Sequence, residues 1–198
     1  REGPRRFLLY EFLSGGDVTG RLLKSKQGRQ LFLWHERLAI VRDAATGLAH
    51  LHNANPRAFH RDIKSSNILI GNGCAKMADF GLSCVAKSQR KEMDCQYASG
   101  TPGYVCPIYM QTGKVTEGSE VHSFGMVLLE VLVNLVPAGL VNGVVKFPIQ
   151  DTIMPYSSGA LDRACCHADK TAGWPPPVAR ELASLALLCV DSDENCRP

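Results

Sequence analysis

Residues 59–71, FHRDIKSSNILIG, gather a histidine, an arginine, an aspartate, a lysine and an asparagine ahead of a short apolar run. Asp62 is followed by Lys64 and then Asn67, and a further aspartate, Asp79, opens DFG at 79–81. NILI and AKMADF read as strands separated by GNG, a hairpin signal, so their ends bring Asp62, Asn67 and Asp79 together. An aspartate beside a carboxamide oxygen is a hard-oxygen pair that suits magnesium, whose other positions go to waters and substrate phosphates. Asp62, left free of the metal, would accept a proton from a hydroxyl, and Lys64 would steady the charge on a moving group. The chemistry this pattern implies is phosphoryl transfer.

Such residues need elements to hold them. RFLLYEFL (6–13) reads as a short buried strand, and SGGD as a turn whose Asp17 caps the helix VTGRLLKSK. From Trp34 to His52, Leu38, Val41, Ala45, Leu48 and Leu51 recur at helical spacing, with Arg37, Arg42 and Asp43 off that face. Pro56 forbids continuation. Residues 82–104 are polar and without period, which predicts a loop. A core helix over 119–133 follows, then a Gly/Pro-rich irregular region over 134–177, then the amphipathic helix PVARELASLALLCV, led in by prolines. The apolar run FGMVLLEVLVNLVPAGLVNGVV is interrupted by Glu130, Asn134 and Pro137 before the roughly 20 residues a membrane span needs, and reads as a buried helix.

HRDIKSSN, DFG and GTPGY, in this order, resemble the motifs of the protein kinase family. That resemblance implies Asp62 as catalytic base, Lys64 as the γ-phosphate contact, and Asn67 and Asp79 as magnesium ligands. Lys64 and Thr101 in GTPGY resemble Ser/Thr kinases more than tyrosine kinases. Arg61 marks the type in which a phosphorylated activation loop pairs with that arginine, and Ser88, Ser99 and Thr101 are candidate acceptors. The nearer similarity is to the branch holding plant receptor-like kinases and interleukin-1-receptor-associated kinases. It is carried by LLYEFLSGGDVTGRL, WHERLAIVRDAATGLAHLH, VTEGSEVHSFGMVLLEVL and LASLALLCVDSDENCRP, and leaves out 134–172. By that alignment Tyr10 is the gatekeeper, Glu11 and Leu13 offer backbone bonds to adenine, Leu69 lies beneath the ring, and Asp17 joins the nucleotide-binding set. His60 resembles a spine histidine that packs on Phe80.

The fold so implied is α+β: a protein-kinase-like, mainly α-helical C-terminal lobe with a short β-hairpin, and with the N-terminal lobe largely absent. Only seven residues precede Leu8, which leaves no room for a Gly-rich loop or its lysine strand, so 1–198 reads as a partial kinase domain. ATP and Mg2+ are the implied cofactors and a protein the implied substrate. The implied location is cytoplasmic, as the intracellular part of a membrane receptor with receptor or adaptor domains outside this chain. Two residues depart from the family pattern. Ile108 stands where a glutamate pairs with the arginine matched by Arg197, and Glu120 stands where an aspartate bonds the catalytic-loop backbone. They motivate a rival reading, a catalytically impaired pseudokinase or truncated remnant acting as a binding module. The net charge of +3 is spread along the chain, which argues against nucleic acid as the main partner. Eight cysteines without C-x-x-C spacing read as reduced thiols.

Overall fold

The computed structural model describes residues 7–71, 73–86, 91–156 and 158–198. The chain enters as an extended segment. Phe7, Leu8, Leu9 and Phe12 are exposed and in no strand, contrary to the buried strand expected there. A strand is stable only when its backbone groups find a partner, and none of the described residues pairs with this segment.

The first helix, α1 (Val18–Lys26), is capped as the sequence predicts: Asp17 Oδ1 accepts from Gly20 N at 2.8 Å. The second, α2 (Trp34–His52), has the expected limits but a different buried face. Arg37, Ile40, Val41, Ala44, Leu48 and His52 turn inward, whereas Leu38, Ala45 and Leu51 are only half-buried. Arg37, expected off the core face, has no exposed surface. Its fork donates to Phe32 O at 2.8 Å, Val131 O at 2.8 Å and Asp169 Oδ2 at 2.6 Å, and it stacks on the Phe32 ring at 5.1 Å. Polarity along one helix cannot reveal a partner 132 positions away.

After α2 come β1 (Ala58–Phe59), β2 (Ile68–Gly71) and β3 (Cys74–Met77). β2 and β3 form the expected antiparallel hairpin, with Ile68 opposite Met77 and Gly71 opposite Cys74. Next come β4 (Cys84–Val85) and β5 (Glu92–Asp94), then α3 (Pro107–Thr112) and β6 (Lys114–Thr116). β4 pairs with β1 and β5 with β6, so the stretch read as one loop is tied down by strands on both flanks. Strands this short leave no alternation for a sequence reading to detect.

Beneath the site runs α4 (Glu117–Val133), which starts just ahead of its predicted limit and whose residues from Phe124 to Val133 are all buried. A helix apolar on every side belongs inside a fold. The region read as irregular holds a hairpin, β7 (Gly139–Val141) with β8 (Val144–Lys146), and the short helices α5 (Pro148–Ile153) and α6 (Ala160–Cys166). These helices are too short for periodicity to stand out. The closing helix α7 (Pro176–Cys189) packs on α4. Among the described residues, no helix is long and apolar enough to cross a membrane.

Candidate functional site

The loop between β1 and β2 is set from below. His60, fully buried, bonds Ala78 O through Nε2 at 3.0 Å and accepts from Asp62 N through Nδ1 at 3.3 Å, partners that assign the hydrogen to Nε2. Its ring lies 4.9 Å from that of Phe80. Arg61 turns the chain with φ 70°, a left-handed conformation costly for a residue with a Cβ. Glu120 of α4 braces that turn: Oε1 accepts from Arg61 N at 2.6 Å and Oε2 meets His52 Nε2 at 2.8 Å. The longer carboxylate at 120 therefore reaches the loop backbone. The Arg61 guanidinium donates to Leu82 O at 3.0 Å, to Tyr97 O at 2.8 Å and to the Tyr109 hydroxyl at 2.8 and 3.0 Å.

Asp62 is buried and its carboxylate fully engaged. Oδ1 accepts from Thr101 Oγ1 at 2.6 Å, and Oδ2 from Lys64 Nζ at 2.7 Å and Asn67 Nδ2 at 3.3 Å. Lys64 Nζ also donates to Thr101 Oγ1 at 3.0 Å. Burial alone would raise the Asp62 pKa, but the hydrogen bonds from Lys64 and Thr101 outweigh it and hold the carboxyl below its ordinary value. Such a group is ionised at neutral pH and can accept or orient a proton.

Asn67 spends its amide hydrogens on Asp62, donating to its backbone O at 2.9 Å as well as to Oδ2, while Asn67 Oδ1 accepts nothing among the described residues. Ala78 N donates to Asn67 O at 2.8 Å, which ties the hairpin ends together and brings Asp79 alongside. Asp79 sits at φ 62° with an exposed carboxylate that, among the described residues, takes only a long 3.3 Å contact from Gly81 N. One free carboxamide oxygen and one open carboxylate fit a magnesium ion that keeps water and phosphate in its other positions. No group of three or more His, Cys, Asp or Glu converges among the described residues, so a self-sufficient protein cage for a metal is not built here.

Beside Asp79 opens a cavity of about 230 Å³ lined by Tyr10, Glu11, Leu13, Leu69, Met77 and Phe80. Its mostly apolar walls suit a flat heterocycle. Asp17 is outside this lining; its carboxylate caps α1 and its backbone bridges Leu69. Glu11 pairs with Lys76 at the rim. Of the expected loop acceptors, Ser99 donates its N–H to the Tyr109 hydroxyl at 3.2 Å, Thr101 is bound to Asp62, and Ser88 lies outside the described residues.

The sequence reading missed a buried polar chain. Tyr104 of GTPGY donates to Glu130 Oε2 at 2.6 Å, Ser65 lies 3.0 Å from Tyr104 Oη, and Thr19 lies 2.5 Å from Ser65 Oγ. Burial pushes the Glu130 carboxyl up to about 7. A lone glutamate inside an apolar helical run was the available signal. Arg197, whose expected carboxylate partner is replaced by Ile108, donates instead to Asp191 O at 2.7 and 2.9 Å and to Gly118 O at 2.9 Å.

Comparison with known proteins agrees with this geometry. The profile of the protein kinase domain matches residues 1–198. A probable receptor-like protein kinase of Arabidopsis thaliana is 35% identical over all of this chain and 56% of its own length. From the same plant, the LRR receptor-like serine/threonine-protein kinase FEI 2 is 36% identical over 98% of this chain and 32% of its own length. A PTI1-like tyrosine-protein kinase is 35% identical over all of this chain and 50% of its own. The chain thus spans about half or less of these relatives. With the profile matched from end to end and loop, hairpin and buried central helix in mutual register, the chain belongs to the protein kinase family.

Proposed function

We propose that this chain carries the catalytic loop, the magnesium ligands and part of the adenine site of a kinase that moves the γ-phosphate of ATP to a serine or threonine hydroxyl of a protein. The observation that carries the reading is the Asp62 carboxylate, kept ionised and aimed by Lys64 and Thr101. Bound Mg-ATP supplies the phosphoryl group. Asn67 Oδ1 and the Asp79 carboxylate would hold the magnesium, which would neutralise charge on the phosphates, and Leu69 and Leu13, which line the cavity beside Asp79, would flank the base. An incoming hydroxyl would replace Thr101 on Asp62 Oδ1, which fixes its lone pair toward the γ-phosphorus and receives its proton as the new O–P bond forms, the bond from that phosphorus to the bridging oxygen breaks and ADP leaves. Lys64 bridges Asp62 and the transferred group, and offsets the charge that develops there.

The relatives' names divide between serine/threonine and tyrosine kinases. Lys64 next to Thr101 favours the former. The receptor-like names support a place on the cytoplasmic side of a receptor, in a longer protein with further domains. The test is phosphoryl transfer by the whole protein with Mg-ATP and peptides bearing Ser, Thr or Tyr. Asp62→Asn should lower kcat by roughly 10²–10⁴-fold, the usual contribution of a positioned base. Equal turnover by parent and variant, or phosphotyrosine as the sole product, would sink the proposal.

A further inference from the structure

Arg197 is a cation held by neutral groups. Its Nε and Nη2 donate to Asp191 O at 2.9 and 2.7 Å, and its Nη1 donates to Gly118 O at 2.9 Å and Cys106 Sγ at 3.4 Å. Carbonyls and a thiol solvate the guanidinium without cancelling its charge, and an Nη2 hydrogen is left over. Among the described residues no ion pair includes Arg197. The acidic residues nearest to it in sequence are engaged locally. Asp191 Oδ1 accepts from Asp193 N at 2.8 Å, Asp193 Oδ1 from Asn195 N at 2.9 Å, and the Glu194 carboxylate from the Thr116 hydroxyl.

Arg197 borders a cavity of about 420 Å³ set between α5, the start of α3 and the end of α7. Ile108, Met154, Tyr156 and Val190 give it apolar walls. His122 of α4 adds a ring whose Nδ1 lies 3.3 Å from Tyr104 O, a partner that assigns the hydrogen to Nδ1. Burial, and then the neighbouring Arg197 charge, push the His122 pKa down to about 4, so the ring is neutral at neutral pH. Arg197 is therefore the one cation, and Asp191 the one carboxylate, among the described residues of the lining. Apolar walls with a few polar groups, in a space of this size, are the make-up of a small-ligand site. A ligand with one negative charge finds its counter-charge in Arg197. A doubly charged one would meet Asp191 with no second cation to offset it.

We infer that this cavity binds a small monocarboxylate with an apolar body, its carboxylate paired with Arg197 and its body packed on Ile108, Met154 and Val190. The cavity shares no lining residue with the one beside Asp79, so the site stands whether or not the chain transfers phosphate.

The experiment is calorimetric titration of the purified protein at neutral pH with 3-phenylpropanoate and, separately, with 3-phenylpropanamide, a neutral molecule of nearly the same shape. The acid should bind once per chain and about tenfold more tightly than the amide, the difference one charge-assisted hydrogen bond makes. Ile108→Glu supplies a tethered carboxylate and Met154→Trp fills the space; each should weaken the acid by about tenfold or more, with circular dichroism verifying that the fold is kept. Arg197→Gln, where it folds, should erase the preference for acid over amide. Equal binding of acid and amide by the parent, acid binding undiminished in both Ile108→Glu and Met154→Trp, or no saturation by about 20 mM, where even modest ligand efficiency would fill the cavity, overturns the site.

Discussion

Removing Glu120 should loosen the loop that carries Asp62 and unfold the protein more easily, by amounts set by its contacts. Its carboxylate is buried and takes hydrogen bonds from Arg61 N at 2.6 Å and His52 Nε2 at 2.8 Å. Hydrogen bonds to a charged group contribute about 1.5–3 kcal/mol each, so Glu120→Ala should cost roughly 3–6 kcal/mol. Part of that loss falls on the turn at Arg61, whose positive φ stores about 1–2 kcal/mol held in place by this contact. Glu120→Gln keeps an oxygen for Arg61 N and should cost about 1–2 kcal/mol, the difference between charged and neutral acceptors. Glu120→Asp, one methylene shorter, should keep the loop contact and give up the one to His52. Urea denaturation of the variants measures these losses, and phosphoryl transfer in the same preparations measures the loop. A displacement of about 1 Å at Asp62 lowers turnover by about 100-fold, so Glu120→Ala should lose activity even where folded. If Glu120→Ala costs under about 1 kcal/mol, less than any charged hydrogen bond, the carboxylate does not brace the turn.

Arg37→Met should cost about 3–5 kcal/mol in a urea melt, because it breaks a buried pair and strands Phe32 O and Val131 O. Burial raises the Asp169 pKa, but hydrogen bonds from Thr171 and Arg37 outweigh it and hold the carboxyl below its ordinary value. The pair's stability should therefore be full above the unfolded value near 3.9 and be lost as pH falls through the folded one; a parent whose stability is flat from pH 5 to pH 2 would contradict this. Glu130 shifts the opposite way, from 4.5 to about 7, so the native state holds a proton the unfolded state has released, and stability should fall by about 3 kcal/mol as pH rises through that window. Denaturation midpoints at pH 5 and pH 8 should differ less in Glu130→Gln than in the parent. Ile108→Glu, in the same cavity as Arg197, adds a carboxylate beside a cation already satisfied by carbonyls, and should raise Tm by no more than about 2–4 °C.

The features legible in the sequence share long or contiguous signals. The limits of α2, the hairpin of β2 and β3, and the run that became α4 all follow from periodicity or turn chemistry over many residues. The polar residues from His60 to Asn67 stand within eight positions, so their clustering was readable before any fold was known. What escaped depends on distant partners. Nothing near Arg37 announces Asp169, and nothing near Glu130 announces Tyr104. The short strands within 82–104 are paired with distant strands by tertiary contacts, with too few residues to carry a pattern.

The two buried carboxylates of α4 explain why a loop and a turn distant in sequence can meet at one aspartate. Glu120 and Glu130 stand ten residues apart on a single helix, a spacing of about 15 Å along its axis. The first holds the backbone at Arg61, one residue before Asp62; the second holds Tyr104, three residues after Thr101. Because α4 is packed on every side, neither anchor can drift relative to the other without disturbing the core. The 2.6 Å bond from Thr101 to Asp62 therefore closes a loop whose other two corners are fixed by one rigid element. Ser65 bonds Tyr104 and sits between Lys64 and Asn67, so the same helix also limits where those side chains can go. The burial of two carboxylates lowers the stability of α4 taken by itself. Their effect is positional, because a buried carboxyl group with no access to water holds the partners it has, Arg61 N and His52 for Glu120 and Tyr104 for Glu130.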